Sequence, residues 1–158
     1  MEAGVIIIIV IYLLLCGVAN LAGLAFLSAD QFPILATYKI GLSCAFWGGV
    51  GGFLYCLRAV YLNICVRDQW DPKWHIWYFL RPIASIVCGG VSYMFLKAGL
   101  IILESSTQPD ASDFGFYAFA FVAGLNVDKF VKKLEEVAEA VWGIEKSRTA
   151  ESSTKKKE

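Results

Sequence analysis

The feature that most constrains this chain is the run from residue 4 to residue 27, GVIIIIVIYLLLCGVANLAGLAFL, 24 residues without one charged side chain. The hydrocarbon core of a bilayer, roughly 30 Å thick, is crossed by about 20 helical residues, so this run is long enough to span with some tilt. A secretory signal starts with basic residues, has a shorter apolar stretch and ends in small residues at a cleavage site. Here Met1 and Glu2 precede a run too long for that pattern, which predicts a retained helix.

Two further runs follow the first. Residues 40–65 are interrupted only by Arg58, and residues 82–103 only by Lys97. Segment 28–39 contains Pro33 and reads as a turn, whereas 66–81 (VRDQWDPKWHIWYFLR) reads as a polar, aromatic connector. Pro82 follows Arg81 directly and suits the first turn of a third helix, where its missing N–H costs nothing. The last apolar run, 114–127, has 14 residues, which suits a thin span, a re-entrant element or a helix at the interface. Charge separates these choices, because Lys and Arg concentrate on cytoplasmic loops. Arg58, Arg67, Lys73 and Arg81 belong to the connector, Glu104, Asp110 and Asp113 to the turn at 104–113, and eight Lys or Arg residues follow position 127. Both termini and the connector on the cytoplasmic side satisfy that pattern, and this requires four crossings. With 58 % apolar and 18 % charged residues, little chain is left for a separate soluble core.

Beyond residue 126 the period changes. Val127, Phe130, Leu134, Val137, Val141 and Ile144 alternate three- and four-residue spacings, with Lys and Glu between them. These are the a and d positions of a heptad, on a stretch shorter than a confident coiled coil. The predicted organisation is all-α: a transmembrane domain over 1–126, a cytoplasmic amphipathic helix over 127–146, and a polar, disordered segment over 147–158.

The second helix carries a strict four-residue stripe, Cys44, Gly48, Gly52 and Cys56, with Gly41, Ala45 and Gly49 beside it. Small residues at this spacing let helix backbones approach closely in lipid. The contacts they serve lie either within one chain or between chains, and the oligomer reading adds Phe130, Leu134, Val137 and Val141. Gly17, Asn20 and Gly23 in the first helix, and Ser85, Gly89 and Ser92 in the third, form similar stripes. Polar groups at membrane depth are expensive and so carry functional hypotheses. Asn20, Lys97, Asn126 and Asp128 are therefore candidates to line an aqueous path, against local capping, snorkelling or pairing. In the connector, Trp70, Trp74, Trp77 and Tyr78 suit a headgroup belt. Mixed with Arg58, Arg67, Lys73, His75 and Arg81, the same rings suit an anionic headgroup or a nucleotide, through phosphate pairing and stacking.

Enzyme chemistry finds little support. His75 is the sole histidine, no nucleophile–base pair or paired carboxylates fall within a span, and the Gly48–Gly52 cluster lies mid-helix rather than after a strand. The five cysteines contain no C-x-x-C pair, so neither metal nor other cofactor is expected. A formal net charge of zero gives no reason to expect duplex nucleic acid as a partner.

Three stretches, GGVGGFLYCLRAVY (48–61), WYFLRPIASIVCGGVSYMFLKAGL (77–100) and FVAGLNVDKFVKKLEEV (121–137), together resemble a widespread group of small bacterial multi-span membrane proteins. The most specific piece is the W-Y-x-x-R-P element, Trp77, Tyr78, Arg81 and Pro82. In size and layout the chain is also similar to the channel-forming effectors of antiphage nucleotide-signalling systems, although it has no distinct soluble sensor domain. That resemblance implies a homotetramer or larger assembly in the bacterial inner membrane, gated by a nucleotide that a neighbouring enzyme makes. A non-conducting membrane anchor or adaptor for a partner protein is the alternative expectation.

Overall fold

The computed structural model describes residues 2–29, 37–68, 70–99 and 113–143. Every regular element among them is helical. In chain order these are α1 (Glu2–Ser28), α2 (Lys39–Tyr61), α3 (His75–Lys97), α4 (Phe114–Leu125) and α5 (Val127–Trp142). The Pro33 turn, most of the acidic turn, Ile144 and the 147–158 segment lie outside the described residues.

Three helices are long and apolar enough to cross a membrane, over Gly4–Ser28, Lys39–Val66 and Pro72–Lys97. The fourth apolar run forms α4 with only 12 residues, about 18 Å of helix. It is joined at Asn126 to α5 through a bend of 108°. Among the described residues there are therefore three full-length candidate spans and one broken pair.

One boundary differs from the sequence reading, while the second apolar run ends where expected: α2 continues as a π-helical turn over Leu62–Val66, and Asp68 then reverses the chain at φ 48°. The third helix begins at His75, seven residues before the expected start at Pro82. Its start signal is Asp71-Pro72. The Asp71 carboxylate accepts the Lys73 N–H at 3.0 Å, and Pro72 opens a 3-10 turn that leads directly into α3. Pro82 instead lies inside the helix, where it cannot bond the Tyr78 carbonyl. Much of the expected connector is thus the first two turns of α3.

α2 is the hub of the bundle and packs on α1, α3 and α4. Its glycines allow this because between them they face all three neighbours. A Cβ on Gly48 would lie 2.5 Å from the Ser85 carbonyl oxygen and 2.6 Å from the Gly89 Cα of α3. One on Gly51 would collide with the Phe121 carbonyl of α4, and one on Gly124 with the Gly48 carbonyl. α1 joins through the same device: the Phe53 and Phe46 rings of α2 lie over Gly17 and Gly23. Of the two kinds of contact open to Cys44, Gly48, Gly52 and Cys56, the structure shows those within one chain. All four are buried inside one chain, because three helices crowd round α2 and use up its small-residue faces.

At the closest crossing the polar atoms are paired. The Ser85 hydroxyl lies 2.9 Å from both the Arg81 and the Gly124 carbonyl oxygens, and its single proton serves one at a time. Two clusters of buried side chains flank this crossing: Ile9, Leu13, Cys56, Val60 and Tyr78 in one, and Cys88, Ala123, Val127 and Phe130 beside α5 in the other.

Candidate functional site

Where α2 ends and α3 begins, a cavity of about 890 Å³ opens between the two helices. Its α2 wall follows from helical spacing. Tyr55, Arg58, Ala59, Leu62 and Asn63 recur every three or four residues and so share one face. The opposite wall is the Asp71-Pro72 turn and the first turns of α3, which present Trp74, Trp77 and Tyr78, while Arg67 and Trp70 close the rim.

The rings form a connected wall. Trp70 stacks on Tyr78 with centroids 5.4 Å apart and planes 8° from parallel. Trp77 meets Tyr78 edge-on at 5.1 Å, Trp74 meets Trp77 edge-on at 6.3 Å, and Tyr55 lies 5.9 Å from Trp77. Asn63 donates from Nδ2 to the Tyr78 hydroxyl at 3.1 Å, tying the α2 wall to the α3 wall.

Behind this wall lies Arg81, with its side chain only 4 % exposed. Its guanidinium carbon sits 4.8 Å from the Tyr55 ring centroid and 5.4 Å from that of Trp77, within cation–π range of both. Nη1 donates to Asp128 Oδ2 at 2.7 Å. Nε is buried with no acceptor among the described residues. The pair holds the start of α5 against α3, and two rings that line the cavity touch the same guanidinium.

The candidate ligand residues separate accordingly. Arg58, Arg67, Trp74 and Trp77 line the cavity, and Arg81 lies directly behind it. Lys73 points away, 88 % exposed and 3.7 Å from Asp71. His75 is engaged locally, its Nε2 accepting the Trp70 indole N–H at 3.0 Å. Two cavity residues, Tyr55 and Asn63, escaped the sequence reading. Their spacing from Arg58 was a usable signal, hidden because the apolar run drew attention to the span.

The polar-lining candidates do not converge on one path. Asn20 is buried between α1 and α2, donating to the Cys16 carbonyl at 2.7 Å while its Oδ1 faces Gly49 without a hydrogen-bond donor. Lys97 at the end of α3 reaches the Tyr93 hydroxyl at 3.2 Å. Asn126 is the joint itself: its N–H donates to the Val122 carbonyl, and its carbonyl accepts from the Phe130 N–H. Asp128 combines the Arg81 pair with 73 % side-chain exposure. Among the expected oligomer contacts on α5, Phe130 is buried within the chain against Phe119. Leu134 and Val137 are half-covered and Val141 is exposed.

The cavity lining combines five aromatic rings with Arg58, Arg67 and the Asp71 carboxylate. Arg58 and Arg67 have no carboxylate partner among the described residues, and guanidinium groups pair bidentately with phosphate or carboxylate oxygens. No grouping of His, Cys, Asp and Glu suited to a metal ion occurs among the described residues. In comparisons with known proteins, no family model, no curated protein and no solved structure matches the chain.

Proposed function

We propose that this chain is the subunit of a homo-oligomeric bacterial inner-membrane effector that binds a nucleotide signal at its cytoplasmic face. Binding would use the cavity between α2 and α3 and control a conducting path between subunits. The observation that carries the reading is the cavity, in which five aromatic rings and two arginines with no carboxylate partner among the described residues surround about 890 Å³ at the end of two apolar spans. Phosphate oxygens satisfy Arg58 and Arg67, and a base stacks on the indole wall. Arg58 and Arg67 also support placing this end in the cytoplasm, with α4 as the short fourth crossing and α5 beyond it at that face. Because the interior of one chain is filled at the α2 glycines, conduction requires a path between copies, four or more in number. The break at Asn126 supports that output, since irregular backbone below the headgroups is tolerated where water reaches it. A non-conducting anchor for a partner protein is the alternative.

The test is tryptophan fluorescence of the full chain in phosphatidylcholine nanodiscs, titrated with linear and cyclic nucleotides and, separately, with soluble phospholipid headgroups. Saturable quenching by a nucleotide is expected, weakened about tenfold or more in Arg58→Ala and Arg67→Ala through loss of a charge-assisted hydrogen bond. Quenching by headgroups alone would replace a signal by a lipid. No saturable quenching by either would sink the pocket reading. Subunit mass and conductance in the same nanodiscs then separate pore from anchor: a monomer or dimer ends the pore.

A further inference from the structure

We infer that α5 is a monotopic helix lying in the acyl–headgroup boundary of the leaflet next to the α2–α3 cavity, with its apolar stripe against lipid. The assignment stands independently of the nucleotide reading.

The geometry begins with where α4 stops. Leu125 packs at Gly51, 12 residues into α2, so α4 ends about 18 Å along α2. Arg58, the first charge beyond that level on α2, lies about 10 Å further on. The chain then turns through 108° between α4 and α5, which sets α5 nearly at right angles to α4, the helix packed along α2 and α3. A helix in that direction lies close to the membrane plane.

Its two faces are oriented as a boundary requires. The stripe of Val127, Phe130 and Leu134 is turned back toward the spans, packing around Phe119, Ala123 and Cys88. The opposite face carries Lys129, Lys132, Lys133 and Glu136 and is exposed. Cover over the stripe then runs out along the helix: Val127 and Phe130 are buried, Leu134 and Val137 half-covered, and Val141 and Trp142 are 51 % and 56 % exposed. Trp142 stands at the far end, where an indole suits the headgroup region. On α4, the apolar Val122 is likewise 51 % exposed.

A second copy of the chain fits this stripe poorly. The heptad positions left uncovered, Leu134 to Val141, amount to about one heptad, against the three or four that a coiled coil needs. Lipid covers a short stripe of any length, and amphipathic helices of this kind bind it by burying apolar area. Charge does not drive the contact. α5 carries three lysines against Asp128, Glu135, Glu136 and Glu139, a net of −1, so insertion is expected to be independent of anionic lipid.

The experiment uses the full chain in phosphatidylcholine nanodiscs, with Cys16 and Cys65, the two cysteines that are not buried, replaced by Ala and an environment-sensitive fluorophore on Val141→Cys or Glu136→Cys. The label at 141 should be quenched by doxyl lipids and spared by aqueous iodide. The label at 136 should show the reverse, with no change when phosphatidylglycerol is added. Iodide quenching of equal strength at both positions would overturn the assignment, placing α5 in water. So would a label at 141 protected from both quenchers whose self-quenching falls on dilution with unlabelled chain, which would mean a second copy. Lipid quenching only in the presence of phosphatidylglycerol would overturn the apolar basis of the contact.

Discussion

Gly48→Ala is the sharpest probe of this fold, because one methyl group meets backbone on two sides. The new Cβ would lie 2.5 Å from the Ser85 carbonyl oxygen and 2.6 Å from the Gly89 Cα. Neither neighbour can rotate away, so α2 and α3 must separate by about 1 Å to restore van der Waals distance. A gap of that size forfeits a quarter to a half of each contact along the crossing, and overpacking of this kind costs about 1–3 kcal/mol. Alanine's better helix propensity offsets up to about 1 kcal/mol. The matched control is Gly90→Ala, one residue further along α3. There the nearest atom to the new Cβ is the Ala45 Cβ at 3.7 Å, an ordinary contact. Unfolding in mixed micelles, followed by circular dichroism, should show Gly48→Ala destabilised by about 2 kcal/mol and Gly90→Ala neutral or slightly stabilised. Equal stability of the two variants would refute the crossing. A Gly48→Ala chain that unfolds like wild type but loses its oligomers would refute it differently, by moving the stripe to contacts between chains.

Asn20→Leu should leave stability unchanged or raise it, since the wild-type carboxamide oxygen is buried against Gly49 without a donor, and removing such a group relieves a desolvation cost; a loss above about 1 kcal/mol in the same unfolding assay would assign that oxygen a partner. For the Arg81–Asp128 pair, a double-mutant cycle with Arg81→Met and Asp128→Ala should return a coupling of about 1–3 kcal/mol, because Asp128→Ala strands a buried guanidinium. Strict additivity would show that the 2.7 Å contact contributes nothing. Ser85→Ala should cost about 0.6 kcal/mol, the mean for hydrogen bonds between membrane helices, while Ser92→Ala, whose hydroxyl bonds only the Gly89 carbonyl of its own helix, should cost less in that assay.

Much of the architecture was legible one residue at a time. Uncharged runs of this length cross bilayers because an unpaired backbone cannot survive in lipid, so the three long helices follow from residues 4–27, 40–65 and 82–103 almost directly. The heptad spacing from Val127 to Val141 likewise marked an amphipathic helix, since a 3.6-residue period is a local property. The start of α3 was readable too, from Asp71-Pro72, but Pro82 offered a second, equally good start signal and no local rule ranks the two.

What only the tertiary structure decided is which partner each residue meets. A stripe of small residues states that some helix comes close, and its local geometry is the same whether that helix is α3 or another subunit. Gly48, Gly49 and Gly51 reach α3, α1 and α4 respectively, because consecutive side chains on a helix point about 100° apart and three neighbours surround α2. Arg81 reads in the sequence as a connector charge. Seven residues of extra helix carry it inside the bundle, where two rings and a carboxylate from α5 compensate its burial. The cavity has the same origin. Its arginines lie on α2 and its rim and its indoles on the chain after the turn, so it exists only once that turn brings residues 55–67 against 70–78.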